Sequence, residues 1–130
     1  MDIVIDTSSI LAVILDEPER DRIIQMVSES SLMGPGSIPW EVGNAFSVML
    51  KKKRMALKVA IEGIEIFKKI RIRLMDPDYS HVMKLCFDNS AYAYDAYFLD
   101  CAIRFNAPLL TLDNKWKTIA QILNINVWEV

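Results

Sequence analysis

Short apolar runs of strand length alternate with helix-length segments along the whole chain, and this alternation restricts the fold more than any other feature. Ile3 to Ile5, apolar and β-branched, reads as a first strand. Asp6-Thr7-Ser8-Ser9 offers N-cap residues for a helix from about Ser8 to Leu15. Asp16-Glu17-Pro18-Glu19 breaks it, and Pro18 opens a second helix through about Ser30. Gly34-Pro35-Gly36 is the clearest turn. A very short strand is expected near Ser37-Ile38, with Pro39 starting a helix to about Lys53. Met55 to Lys69 reads as another helix and Ile72-Arg73-Leu74 as a third strand. Asp76-Pro77-Asp78 caps a helix to about Asn89, and a further helix runs to about Phe105. Leu109 to Leu112 is a strand, Asn114 to Leu123 a helix, and Val127-Trp128-Glu129 the last strand. Strands joined by helices of this length imply parallel pairing and right-handed crossovers. The expected architecture is a three-layer α/β/α sandwich with a parallel sheet of about five short strands, with residues 1–130 forming a single domain.

On that frame, four acidic residues stand where burial should penalise them. Asp6 and Asp113 each follow an apolar strand, Glu41 lies in the first turn of the helix after the second strand, and Asp95 sits among alanines and aromatics. An unpaired buried carboxylate costs several kcal/mol or neutralises itself by a pKa shift. Open parallel sheets bind ligands beyond the carboxyl ends of their strands, so four chain segments could deliver these acids to one crevice. Oxygen ligands without histidine or thiolate suit magnesium or manganese. One or two such ions could activate water and stabilise the leaving oxygen of a phosphoryl displacement.

Each acid also has a plainer reading. Asp6 and Asp113 could be helix caps, Glu41 a first-turn acid favoured by the helix dipole, and Asp95 structural.

The net charge of -2 and pI of about 5.4 argue against gripping nucleic acid by bulk positive charge. With four acids serving as metal ligands, the rest of the chain carries +2, which is compatible with a phosphodiester substrate. Hydrophobic residues make up 52% and charged residues 25%, as in a soluble globular protein. No apolar run approaches the ~18 residues needed to cross a bilayer. Asp2 stands where a signal peptide has a basic region, so a cytoplasmic location without membrane attachment is expected. Cys86 and Cys101 lack C-x-x-C spacing and read as reduced thiols.

At this point four stretches resemble the motifs of PIN-domain ribonucleases, in the family's order and spacing. They are Asp6-Thr7-Ser8-Ser9-Ile10-Leu11-Ala12, Pro39-Trp40-Glu41-Val42-Gly43-Asn44-Ala45-Phe46, Tyr94-Asp95-Ala96-Tyr97 and Pro108-Leu109-Leu110-Thr111-Leu112-Asp113. The length and the Leu15-Asp16-Glu17-Pro18 break look most like VapC-type toxins of toxin–antitoxin pairs. The resemblance implies a PIN-like fold and a Mg²⁺- or Mn²⁺-dependent endoribonuclease, commonly a homodimer restrained by a small cognate antitoxin. By motif position it assigns metal-binding, catalytic carboxylates to Asp6, Glu41, Asp95 and Asp113. Thr7 or Ser8, together with Thr111, become nearby hydroxyls that orient ligands or water. Asp100 departs from the family pattern. It lies roughly 140° around the helix from Asp95 and is spaced i,i+4 from Arg104, as a surface ion pair would be.

Several residues carry two readings. Asn44, one turn beyond Glu41, either orients the carboxylates or is a solvated amide. Lys51, Lys52, Lys53 and Arg54 either form a solvated helix end or contact RNA or an acidic antitoxin segment. Tyr92, Tyr94, Tyr97 and Phe98 could stack bases, although core packing is the commoner reason for such residues. His81 reads as a surface histidine. Met26, Met33 and Met49 read as core or as a dimer face. The alternative function is a PIN-like module that binds RNA or protein with little or no turnover. A phosphatase or phospho-acceptor would need a second acid beside Asp6, and Thr7-Ser8 stands there instead. A nucleotide-binding fold would need a glycine-rich phosphate loop, which the chain does not have.

Overall fold

A computed structural model describes residues 1–130. The strands are β1 (Asp2–Ile5), β2 (Ser31–Pro35), β3 (Ile72–Met75), β4 (Leu109–Leu110) and β5 (Val127–Trp128). The helices are α1 (Thr7–Ile14), α2 (Arg20–Val27), α3 (Ile38–Lys51), α4 (Leu57–Lys69), α5 (Tyr79–Asn89), α6 (Ala93–Arg104) and α7 (Asn114–Ile122). The five strands pair in parallel in the order β3-β2-β1-β4-β5, which is the expected α/β sandwich.

Ile3, Val4 and Ile5 are all buried although successive strand residues face opposite ways, so β1 is covered on both faces. On one side α1 packs with α2, α3 and α4; elsewhere α6 lies on β1 and β2 and packs with α5. Gly63 lets α4 approach this layer closely, since a Cβ there would stand 2.6 Å from the Phe46 ring. No helix is long and apolar enough to cross a membrane.

The second strand is displaced from expectation. It runs through Ser31–Pro35, and Ile38 already begins α3. Gly34 and Pro35 belong to the strand end, where pairing to β1 has stopped at Met33 and only β3 continues alongside. A proline is tolerated there because one edge of the strand asks nothing of its missing N–H. The second helix is also shorter than expected, starting at Arg20 and ending at Val27.

Strand order reverses between β1 and β4, the two strands that meet at the centre of the sheet. Asp6 leaves β1 at that point, and Thr111 leaves β4 beside it. Crevices of this kind are where parallel sheets present chemistry.

Candidate active site

All four acids stand at helix N-termini. Asp6 is the N-cap of α1, Asp113 the N-cap of α7, and Glu41 and Asp95 occupy the first turns of α3 and α6. The plain capping reading and the functional one therefore hold of the same side chains, since a helix N-terminus favours a carboxylate whatever its further use.

Asp6 is 3% exposed. Its carboxylate accepts from the Ser9 amide at 3.0 Å, from the Ser8 hydroxyl at 2.8 and 2.9 Å, and from the Thr111 hydroxyl. Burial pushes its pKa above the usual carboxylate range, and these donors pull it partly back. Thr111 is itself buried and accepts the Asp113 amide at 3.0 Å, while the Ser8 hydroxyl accepts the Leu112 amide at 3.3 Å. Ser8 and Thr111 both contact Asp6 directly.

Glu41 is half-buried. It accepts from Ser37 Oγ at 2.7 Å and from Thr7 Oγ1 at 3.3 Å. Burial raises its pKa most, and the negative charges of Asp6 and Asp95 raise it further. Asp95 is also raised, first by burial, with the positive charge of Lys115 opposing and the negative charge of Asp113 adding to the rise. Asp113 is exposed and accepts the Lys115 amide at 3.0 Å. Asp6, Glu41 and Asp95 therefore share one electrostatic neighbourhood, and Asp113 joins it through Asp95. As the side chains stand, no three carboxylates converge on a single ion-binding point. The donor set still suits a hard cation in kind, being all oxygen and mutually repulsive.

Asn44 is exposed and bonds neither acid through its side chain. It lines, with Thr7, Trp40, Glu41, Ala45 and Tyr94, a groove of about 530 Å³ beside Glu41. Lys51 to Arg54 are exposed at the far end of α3, roughly 15 Å along the helix from Glu41.

Three residues beside the acids escaped the sequence reading. Ser37 and Lys115 contact or oppose the acids, and the i,i+4 spacing of Ser37 to Glu41 was the available signal. Trp40, 74% exposed, stands beside Glu41. His81 is not a free surface residue: its Nδ1 lies 2.7 Å from Asp100 Oδ1. Asp100 is fully buried, which corrects the surface-pair reading, although its partner Arg104 was identified. Arg104 forks onto both carboxylate oxygens at 3.0 and 3.1 Å, and the Asp78 amide donates to Oδ2 at 3.3 Å. Both Asp100 oxygens are thus engaged by His81, Arg104 and the Asp78 amide.

The aromatic and sulfur residues divide. Phe98 and Met33 are core, whereas Tyr92 and Tyr94 are exposed and not packed inside as expected. Met26 and Met49 pack partly buried against the core. Both cysteines are free, and burial pushes the Cys101 thiol up to about 12.

The sequence model described as "PIN domain" matches residues 3–122. No curated protein matches the chain in sequence. Among solved structures, VapBC2 from Rickettsia felis bound to a DNA fragment from its promoter is similar, with TM-score 0.71 and 17% identity over 98% of each chain. PAE2754 from Pyrobaculum aerophilum follows at TM-score 0.67 and 18% identity, covering 91% of this chain and 86% of that one. VapBC-1 from nontypeable Haemophilus influenzae gives 0.65 and 16%, covering 99% and 98%. At such identities these likenesses speak for the fold.

Proposed function

The chain belongs to the PIN domain family, and from that premise we propose that it is a divalent-metal-dependent endoribonuclease, the toxin of a VapC-type toxin–antitoxin pair. One observation carries the reading. Carboxylates from separate elements meet beside the strand-order reversal: Asp6 and Asp95 raise the proton affinity of Glu41, Asp113 raises that of Asp95, and Lys115 is the cation that offsets Asp95. A family of nucleases and a pocket of repelling acids together point to hydrolysis assisted by Mg²⁺ or Mn²⁺, one ion or two.

Asp6, Glu41 and Asp95 would hold the metal, with Asp113 joining from the start of α7. When bound, the cation supplies polarisation of the phosphodiester and a lowered pKa for water. The chain supplies rigidity. Ser8, Ser9 and Thr111 fix the Asp6 carboxylate, and Ser37 and Thr7 fix Glu41, so neither acid needs reorienting when substrate arrives. Glu41, held above the ordinary glutamate range, takes up a proton more readily than a solvated glutamate would.

The two VapBC structures are toxin–antitoxin complexes by name, which supports a cognate antitoxin as this chain's partner. An apolar groove of about 300 Å³ between α3 and α4, lined by Phe46, Leu50, Leu57, Ile61 and Ile64, offers such a partner a surface. The basic run Lys51 to Arg54 is the candidate for a second contact, with the RNA backbone or an acidic antitoxin segment. We further assign a homodimer, residues 1–130 as one domain, and a cytoplasmic site of action, which two free thiols suit.

The test is cleavage of single-stranded RNA by the purified protein with Mg²⁺ or Mn²⁺, abolished by EDTA and by Asp6→Asn or Asp95→Asn in folded protein. Both variants cleaving at the wild-type rate would refute the site assignment. A protein of the same chemistry that binds RNA but never cleaves it would leave the binding-module alternative in its place.

A further inference from the structure

Trp40 and Tyr94 each precede a candidate metal ligand in the chain, and both are largely exposed, at 74% and 56%. They form the shared wall of two adjoining grooves. One, of about 530 Å³, contains Thr7, Glu41 and Asn44. The other, of about 290 Å³, runs from Trp40 and Tyr94 to Tyr79, Tyr97, Asp76 and Pro77. Water-exposed aromatic rings beside a polar centre carry a cost in apolar surface, and packing does not explain these.

Three of the tyrosines pack on one another. Tyr97 meets Tyr94 edge-on at 5.7 Å and Tyr79 edge-on at 6.2 Å, both at an interplanar angle of 89°. The far wall is fixed as well: Arg104, anchored on buried Asp100, donates at 2.6 Å to the Asp76 carbonyl. His81 and the Asp78 amide close the same clasp. The tyrosine side and the Asp76 wall of the groove are thus held by contacts within the protein, which lowers the ordering cost of a ligand there.

Its chemistry selects among the parts of a nucleic acid. No lysine or arginine lines either groove, and Asp76 adds negative charge, so phosphates are disfavoured there. Uncharged π-faces are not disfavoured, because bases stack on aromatic rings without needing a counter-charge. The carboxylate of Asp76 is an acceptor suited to the exocyclic amino group of a base.

We propose that the Trp40–Tyr94 groove is a nucleobase subsite, which receives an unpaired base next to the phosphate at the acidic centre and so restricts the protein to single-stranded RNA. The proposal takes its ligand from the ribonuclease reading above. A base held in a duplex cannot enter the groove, whereas a splayed base stacks between the indole and the phenol.

The experiment separates the two readings by measuring binding in a cleavage-silent background. Asp6→Asn protein is titrated into dye-labelled short single-stranded RNA, the same RNA as a duplex, and RNA carrying abasic sites, with affinity read from the anisotropy of the dye and Trp40 fluorescence followed alongside. Trp40→Phe reports the background from the other tryptophans. The expected result is Trp40 quenching by single-stranded RNA, and an affinity by anisotropy weakened about tenfold or more by Trp40→Ala or Tyr94→Ala. Abasic substitution at one position should weaken it similarly, and the duplex should bind poorly. Equal affinity for duplex, abasic and intact strands overturns the subsite, as does affinity unchanged by Trp40→Ala in a protein whose circular dichroism is native. Quenching that depends on protein concentration without RNA would give the groove to a second copy of the chain, and the proposal would fall. Base-dependent binding by a chain that never cleaves RNA supports the subsite and removes the nuclease reading instead.

Discussion

The Thr111 hydroxyl donates to the Asp6 carboxylate across the junction of β4 and β1, and the same oxygen receives the Asp113 amide. One side chain thereby ties two of the four acidic segments together inside the protein, where neither group can turn to water instead.

Replacing Thr111 by valine keeps the shape and deletes both bonds. It leaves a buried carboxylate short of a donor, and that should cost about 1–3 kcal/mol of stability. Thr111→Ser should retain most of it. Urea denaturation of the two variants beside the native chain checks this, and equal midpoints for valine and serine would show that the hydroxyl contributes nothing.

Without metal, stability should fall as pH rises out of the acidic range. Asp6, Glu41 and Asp95 all have pKa values above those of the unfolded chain, with burial the first cause in each case. Between the unfolded and folded pKa values the native state binds more protons, so acidification from neutral pH favours folding in that window. Below the unfolded pKa the effect is complete. Thermal melts in EDTA should show Tm increasing as pH drops from neutral toward the unfolded carboxylate value. The increase should be smaller in Asp6→Asn, since that position no longer titrates.

Divalent ions should act in the opposite sense, relieving the repulsion at neutral pH. Mg²⁺ or Mn²⁺ at a hundredfold excess over its dissociation constant would stabilise by about 2.7 kcal/mol. Asp95→Asn should reduce that gain sharply. A melt unmoved by either ion, with calorimetry silent, would remove the metal from the account.

Asp100 is a fully buried carboxylate held by Arg104, His81 and the Asp78 amide. Asp100→Ala would take the shared acceptor from the Arg104 guanidinium and His81, whose side chains are 30% and 28% exposed and can turn partly to water, at about 1–3 kcal/mol. Asp100→Asn should cost less because one oxygen still accepts. Chemical denaturation orders the three proteins, and an alanine variant as stable as the native chain would contradict the clasp.

Gly63→Ala should destabilise α4 despite alanine's better helix propensity, because its methyl group would meet the Phe46 ring at 2.6 Å. Overpacking of this sort costs about 1–3 kcal/mol. Combining it with Phe46→Leu should recover part of the loss, a coupling that a double-mutant cycle measures directly.

Local signals carried the sequence reading where chemistry was local. Asp6 after β1, Glu41 and Asp95 in first turns, and Ser8 two residues from Asp6 were all visible from spacing. What failed was distant in the chain or masked by a stronger cue. Gly34-Pro35-Gly36 looked like a turn because nothing in the sequence reveals that β1 stops pairing before Pro35. The contact of His81 with Asp100 spans 19 residues and joins two helices, so periodicity within either one could not reveal it. Tyr94 was expected inside because its neighbours are apolar, yet the buried stripe of α6 is made by Ala96, Phe98, Leu99 and Asp100.

The central place of β1 has a consequence for how the molecule comes apart. Its neighbours on either side, and the helices on both faces, shield its amides, so hydrogen exchange there should report global unfolding while β5 at the sheet edge exchanges through fraying. The carboxylate at the end of β1 is then anchored to the last piece of the chain to let go, and edge damage, by heat or by a protease, leaves that anchor standing.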